Sequence, residues 1–77
     1  MTVKIYTTTT CSYCKMAKEF FKKNNVNYIE VNVENDEKAA EEMIEKSGQM
    51  GVPVIDVNGK IIVGFDRPAL EKALKLK

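Results

Sequence analysis

The first half of the chain contains three stretches in which the order of hydrophobic and polar residues predicts a helix or a strand. An apolar, β-branched stretch over residues 3–6 predicts a short strand, and the threonines at residues 7–10 predict the loop that leaves it. Over residues 13–24 the apolar positions recur at helical spacing, which predicts an amphipathic helix packed on a sheet. Residues 27–33 alternate between apolar and polar side chains, which predicts a half-buried strand at a sheet edge.

The next positions predict a second helix and a hairpin. Asn35 is the predicted N-cap of the helix, and Ser47-Gly48 is its predicted end, because glycine adopts positive φ without a steric cost. Its apolar stripe comprises Ala39, Ala40, Met43 and Ile44. Asn58-Gly59 then separates two apolar runs, which predicts a β-hairpin with a two-residue type I′ turn.

The last stretch predicts a third helix. Asp66 is its predicted N-cap and Pro68 lies in its first turn, where a missing backbone N–H costs nothing. Glu71 and Lys75, four positions apart, are predicted to form an ion pair on its surface. The element order is therefore β-α-β-α-β-β-α, an α/β chain that we expect to form a single domain over residues 1–77.

Connection rules give this order a spatial arrangement. Two strands joined through a helix lie parallel with a right-handed crossover, whereas the hairpin strands are antiparallel. We therefore expect a four-stranded mixed sheet with the three helices distributed over its two faces.

Composition and charge exclude several classes of partner. The 77 residues carry a formal net charge of +1, and the lysines are spread along the chain, so nothing favours nucleic acid or an anionic membrane. We find no apolar run long enough for a signal peptide or a membrane span. We expect a monomer in the cytoplasm.

The two cysteines carry the candidate chemistry. Cys11 and Cys14 are separated by two residues, and the chain contains no histidine. A closed zinc site needs four ligands, so one chain cannot supply it from these residues, and we expect no metal ligand. A disulfide that closes so small a loop removes little chain entropy and stabilises little. Thiol–disulfide exchange is therefore the favoured function of the pair.

Their positions assign a role to each thiol. Cys11 precedes the predicted first helix, where free backbone N–H groups and the helix dipole favour a thiolate, so it is the expected nucleophile. Cys14 lies in the first helical turn and is expected to resolve a mixed disulfide by attacking Cys11. Among the helix lysines, Lys15 is the one close to the thiols in sequence.

Four segments give the chain a family resemblance. Ile5-Tyr6-Thr7 leads into Cys11-Ser12-Tyr13-Cys14, Val52-Pro53 precedes the hairpin, and Gly64-Phe65-Asp66 precedes the last helix. With the order of elements, these segments resemble the glutaredoxins, small members of the thioredoxin fold, along essentially the whole chain.

The resemblance implies a fold, an activity and a set of binding residues. It implies the sheet order 2-1-3-4, a cis peptide bond before Pro53 opposite the cysteines, and reduction of protein disulfides or glutathione mixed disulfides. The residues that it implies for substrate binding are Tyr13, Val52, Pro53, Gly64, Phe65 and Asp66. No tightly bound cofactor is expected, glutathione is a candidate co-substrate, and the reductant is glutathione or thioredoxin reductase.

Departures from the family pattern leave two alternatives open. Thr8 and Gln49-Met50 stand where many glutaredoxins carry a cation, and a cation–carboxylate hydrogen bond is worth about 1.5–3 kcal/mol. Arg67-Pro68 is similar to the redoxins that supply ribonucleotide reductase and draw electrons from thioredoxin reductase. Ser12 replaces the more frequent proline, and glutaredoxins with a small residue there sometimes carry an iron–sulfur cluster between two protomers.

Overall fold

The computed structural model describes residues 2–75, and its elements follow the predicted order. They are β1 (Val3–Thr7), α1 (Ser12–Lys23), β2 (Ile29–Asn32), α2 (Glu37–Ser47), β3 (Val54–Val57), β4 (Lys60–Val63) and α3 (Arg67–Ala73).

The sheet order is β2-β1-β3-β4, with β1 parallel to β2 and antiparallel to β3, and with β3 antiparallel to β4. Both the predicted α/β thioredoxin-like fold and the predicted strand order are confirmed. The register pairs Tyr6 with Val54 and Val54 with Val63. The end of β1, the beginning of β3 and the end of β4 therefore meet at one end of the sheet.

Each face of the sheet covers its own apolar core, because successive side chains of a strand point to opposite sides. On one face, Val3 and Ile5 of β1 pack with residues of α1 and α3, among them Phe21 and Leu70. On the other face, Tyr6 and Val54 of the sheet pack against Met43 of α2. The helices thus lie on both faces, as predicted.

The edge strand β2 differs in detail from its predicted burial. Val31 and Val33 pack under α2 as expected, but Ile29 is 54% exposed. Tyr28, expected on the polar face, packs instead against the core under α1, at 5.2 Å from the ring of Phe21. Helices on both sides of the strand give apolar surroundings to both faces, which simple alternation does not anticipate.

Two further local predictions are corrected. Asp36, not Asn35, caps α2, and its carboxylate accepts a hydrogen bond of 3.1 Å from the N–H of Ala39. A cap must immediately precede the first helical residue, and the helix begins one position later than expected. Glu71 pairs with Arg67 at 3.4 Å instead of with Lys75.

The predicted turn and remaining caps are confirmed. Asn58 and Gly59 have φ values of 52° and 98°, as a type I′ turn requires, and Gly48 ends α2 with a φ of 74°. Asp66 caps α3 by accepting from the N–H of Ala69 at 3.2 Å. Within residues 2–75, no helix is long and apolar enough to cross a membrane.

Candidate active site

Cys11 is the N-cap of α1, as predicted. Its backbone is extended, with φ −89° and ψ 111°, and its Sγ accepts a hydrogen bond from the N–H of Cys14 at 3.1 Å. The side chain is partly exposed. A sulfur at this position is open to a substrate and satisfies one of the free N–H groups of the first helical turn.

Cys14 has a different environment. It is 1% exposed, and both cysteines are free. Burial, together with the hydrogen bond to Cys11, raises the pKa of the Cys14 thiol to about 12, although a backbone hydrogen bond at Thr8 acts in the opposite direction. Cys14 is therefore protonated at neutral pH and shielded, which suits a thiol that acts second.

Two of the loops that hold predicted binding residues lie at the common end of the sheet. The Val52–Pro53 peptide bond is cis, as the resemblance implied, and Pro53 is buried. The N–H of Gly64 donates to the carbonyl of Pro53 at 2.8 Å, which ties the end of β4 to the loop before β3. Gly64 has a φ of 79°, a conformation that glycine adopts without strain.

The segment after Gly64 packs against α1. The ring of Phe65 lies edge-on to that of Phe20 at 5.9 Å, and the guanidinium of Arg67 lies 5.6 Å above the same ring. Asp66 is exposed beside them. A shallow groove of about 210 Å³ runs between α1 and this segment and is lined by Met16, Glu19, Phe20, Lys23, Phe65 and Arg67.

The two remaining predicted binding residues, Tyr13 and Val52, directly precede Cys14 and Pro53 in the chain. Tyr13 is exposed in the first turn of α1, and Val52 is half-buried beside Pro53. The backbone thus brings together the Pro53 and Gly64 loops, while Tyr13 belongs to the turn that contains both cysteines. The substrate-binding roles of these residues remain predictions.

The two positions at which the family often has a cation are occupied differently here. The side chain of Gln49 folds back on its own loop, with its Nε2 donating to the carbonyl of Gly51 at 2.9 Å and its Oε1 accepting from the N–H of Gly51 at 2.6 Å. Thr8 is half-buried. Beside Cys11, Lys15 instead lines a cavity of about 230 Å³ together with Thr9, Thr10 and Ser12.

A group that the sequence analysis missed lies beside Cys14. Lys18 donates to the carboxylate of Glu30 at 2.9 Å, and Thr7 donates its hydroxyl to the same oxygen at 3.1 Å. The available sequence signal was the four-residue spacing from Cys14 to Lys18, which puts them on one side of a helix. The partner Glu30 was visible only as a polar position of an edge strand.

Comparison with known proteins identifies relatives over most of the chain. The family model described as Glutaredoxin matches residues 3–62. The chain is 47% identical over 73 residues to an uncharacterized glutaredoxin-like 8.6 kDa protein in the rubredoxin operon of Clostridium pasteurianum, covering 95% of this chain and 97% of that one. It is 38% identical over 64 residues to glutaredoxin 3 of Escherichia coli K12, covering 83% of this chain and 77% of the relative.

A solved structure shares the fold. The glutaredoxin-like protein NrdH-redoxin from Escherichia coli, described as having a thioredoxin-like activity profile, superposes with a TM-score of 0.81 at 26% identity. The superposition covers 100% of this chain and 96% of that protein. The relatives thus include one protein named a glutaredoxin and one named a redoxin.

Proposed function

The chain belongs to the glutaredoxin family and is a thiol–disulfide oxidoreductase, and we propose that Cys11 and Cys14 together reduce protein disulfides or glutathione mixed disulfides. The observation that carries this proposal is the asymmetry of the two thiols. Cys11 is partly exposed at the N-terminus of α1 and accepts a helix N–H, whereas Cys14 is buried one turn further along.

The asymmetry sets the order of the reaction. The Cys11 thiolate attacks one sulfur of the substrate disulfide, which forms a mixed disulfide and releases the first substrate thiol. The Cys14 sulfur then attacks the Sγ of Cys11, and the bond between Cys11 and the substrate breaks. The Cys14 proton ends on the second departing thiol, so the substrate gains two electrons and the protein retains a Cys11–Cys14 disulfide.

The source of electrons that restores the dithiol is either glutathione or thioredoxin reductase. Similarity to glutaredoxin 3 supports glutathione as co-substrate, with Tyr13, Val52 and Asp66 as its candidate ligands. The side chain of Asp66 caps α3 with one carboxylate oxygen, and a carboxylate retains further lone pairs for a substrate amine.

A second candidate is a redoxin recycled by thioredoxin reductase. The contacts of Gln49 with Gly51 support it, because this side chain is engaged in its own loop at a position where a cation would grip a glutathione carboxylate. Arg67 supports it as well, because its guanidinium covers Phe20 at the edge of a groove that an apolar protein side chain can enter.

The test is NADPH oxidation with a disulfide substrate, coupled in parallel to glutathione plus glutathione reductase and to thioredoxin reductase. Turnover through glutathione alone supports the first candidate, and turnover through thioredoxin reductase alone supports the second. A Cys11→Ser variant that kept full activity in either assay would refute both.

A further inference from the structure

A polar triad of Thr7, Lys18 and Glu30 joins α1 to the edge of the sheet. The Glu30 carboxylate accepts from the Lys18 ammonium at 2.9 Å and from the Thr7 hydroxyl at 3.1 Å, with one oxygen receiving both hydrogen bonds. Thr7 is completely buried, and the Lys18 side chain is only 26% exposed. Lys18 therefore differs from a lysine on a fully solvated helix face, because its ammonium is fixed at the edge of the interface.

This triad adjoins the buried thiol. Lys18 follows Cys14 by four residues on α1, a spacing that makes two side chains neighbours on a helix surface at about 5–6 Å between their Cβ atoms. Thr7 is the last residue of β1, the strand that leads into the cysteine loop. A single cation is thus held beside a thiol that must lose its proton to react.

The electrostatic effects of the triad have definite directions. The charge of Lys18 lowers the pKa of Cys14, opposing the larger effects of burial and of the hydrogen bond with Cys11. The hydrogen bond to Glu30 raises the pKa of Lys18, and Tyr28 acts in the same direction, so Lys18 is cationic throughout the neutral range.

Glu30 is a weak proton acceptor in this setting. The hydrogen bonds from Lys18 and then from Thr7 lower the pKa of Glu30, and the charge of Lys22 adds to their effect. A carboxylate that is stabilised in its ionised form does not take the proton of Cys14 readily. Glu30 is therefore better suited to hold Lys18 than to act as a general base.

Resting on the dithiol exchange proposed above, we propose that Lys18 promotes the resolving step by stabilising the Cys14 thiolate, and that Glu30 and Thr7 hold its ammonium group in place. In that step Cys14 loses its proton, the new bond forms between the sulfurs of Cys14 and Cys11, and the bond from Cys11 to the substrate sulfur breaks. The departing substrate thiolate takes up a proton. Lys18 remains protonated and forms no covalent bond, so it is a positioning residue for charge.

The test follows the two thiols separately with one equivalent of dithiobis(nitrobenzoate). The reduced protein releases a first coloured nitrothiobenzoate when Cys11 attacks, and a second when Cys14 resolves the mixed disulfide. Because the second step is intramolecular, its rate does not depend on reagent concentration. Stopped-flow absorbance resolves the two phases over a range of pH.

Lys18→Met is expected to slow the second phase about threefold and to leave the first phase unchanged. A tenfold loss of thiolate corresponds to one pKa unit, and the higher nucleophilicity of a more basic sulfur recovers about threefold of it. The factor should be constant across neutral pH, because Cys14 is mostly protonated throughout. Lys18→Arg keeps the charge and should restore the wild-type second phase, whereas Lys22→Met, one turn further along α1, is the matched control and should leave both phases at wild-type rates.

Several results overturn the role of Lys18 without touching the dithiol mechanism. These are an unchanged second phase in Lys18→Met, equal slowing in Lys18→Met and Lys18→Arg, and equal slowing in Lys22→Met. By contrast, release of only one nitrothiobenzoate by the wild-type protein, or a second phase proportional to reagent concentration, would show that Cys14 does not resolve the mixed disulfide.

Discussion

The two faces of the sheet each contain a polar group of similar composition, and only one of them lies beside a reactive thiol. Under α1, Thr7 donates to Glu30, which also pairs with Lys18. Under α2, the neighbouring residue Tyr6 donates its hydroxyl to Glu42, which forms an ion pair with Lys46 at 3.1 Å. In each group a buried hydroxyl of β1 reaches a carboxylate that is also paired with a lysine.

The group under α2 is larger, and its members form hydrogen bonds and ion pairs with one another. Lys46 donates to the Tyr6 hydroxyl at 3.0 Å and to Asp56 at 2.9 Å, and Lys4 pairs with Glu42 at 3.1 Å. Two lysines and two carboxylates balance in charge around the buried tyrosine. These contacts connect β1, β3 and α2, so we expect this cluster to affect stability and not catalysis.

The difference shows that chemical composition alone does not assign a role to a buried polar group. Both groups contain a lysine, a carboxylate and a hydroxyl of β1. The group under α1 is distinguished by Cys14, one helical turn before Lys18, whereas the group under α2 adjoins β-strand and helix residues only. Position relative to the thiols decides which group bears on the reaction.

Substitution of Cys11, at the beginning of α1, should reduce activity more than any other change considered. Cys11→Ser should lower disulfide reductase activity by more than about 10³-fold, because a serine hydroxyl is a far weaker nucleophile than a thiol at neutral pH. Stability should change by no more than about 0.5 kcal/mol, since the side chain is partly exposed. NADPH-coupled turnover and urea unfolding measure the two quantities, and a large loss of stability would contradict the separation of roles.

Tyr6→Phe probes the opposite face. The change removes the donor to Glu42 and the acceptor for Lys46 from a completely buried residue. The free energy of unfolding should therefore fall by about 1–2 kcal/mol. Reductase activity should stay at the wild-type level. Urea unfolding measures the first effect, with the exposed Tyr13→Phe as stability control, and a large activity loss in Tyr6→Phe would remove the contrast between the faces.

The two capping aspartates give a matched pair across the sheet. Asp66→Ala removes the cap of α3 and Asp36→Ala removes the cap of α2, and each should destabilise the protein by about 0.5–2 kcal/mol. We expect only Asp66→Ala to raise KM for a glutathione mixed disulfide. An equal change of KM in both variants would show that Asp66 acts through folding alone.

The smallest effect is a pH dependence. Hydrogen bonds from Tyr6, then Lys46 and Lys4, lower the pKa of Glu42 from its ordinary value to about 2. A depressed pKa stabilises the fold above the ordinary carboxyl pKa, and this stabilisation disappears as the pH falls toward 2. Since the Glu42 side chain is 43% exposed, we expect it to contribute only about 0.5–1 kcal/mol to the free energy of unfolding.

Urea unfolding of Glu42→Gln at several pH values measures this dependence. The difference in the free energy of unfolding between this variant and wild type should be largest at pH 6 and shrink progressively below about pH 4.5. Glu41→Gln removes the same charge from an exposed position of α2 and is the matched control. A difference that stays constant down to pH 2 would contradict the coupling of Glu42 to its partners.

Local sequence determined most of the elements and the position of the chemistry. Some features depend on only a few neighbouring residues, so they can be predicted from the sequence without knowledge of the fold. Among them are the helical periodicity, the Asn58-Gly59 turn and the capping residue Asp66. The same holds for Cys11 at the beginning of α1. The strand order and the cis bond at Pro53 were anticipated only through the resemblance, because neither follows from local preference.

The contacts between distant segments, by contrast, depend on the tertiary structure. Glu30 meets Lys18 and Thr7 from 12 and 23 positions away, and Glu42 meets Tyr6 from 36 positions away. The sequence placed Tyr6 in an apolar strand, Thr7 in the loop after it, and Lys18 and the two glutamates at ordinary polar positions, and it indicated none of these contacts. The partners of these residues depend on the strand order, the register and the face on which each helix packs. The ion pair beside Cys14 therefore forms only in the folded protein.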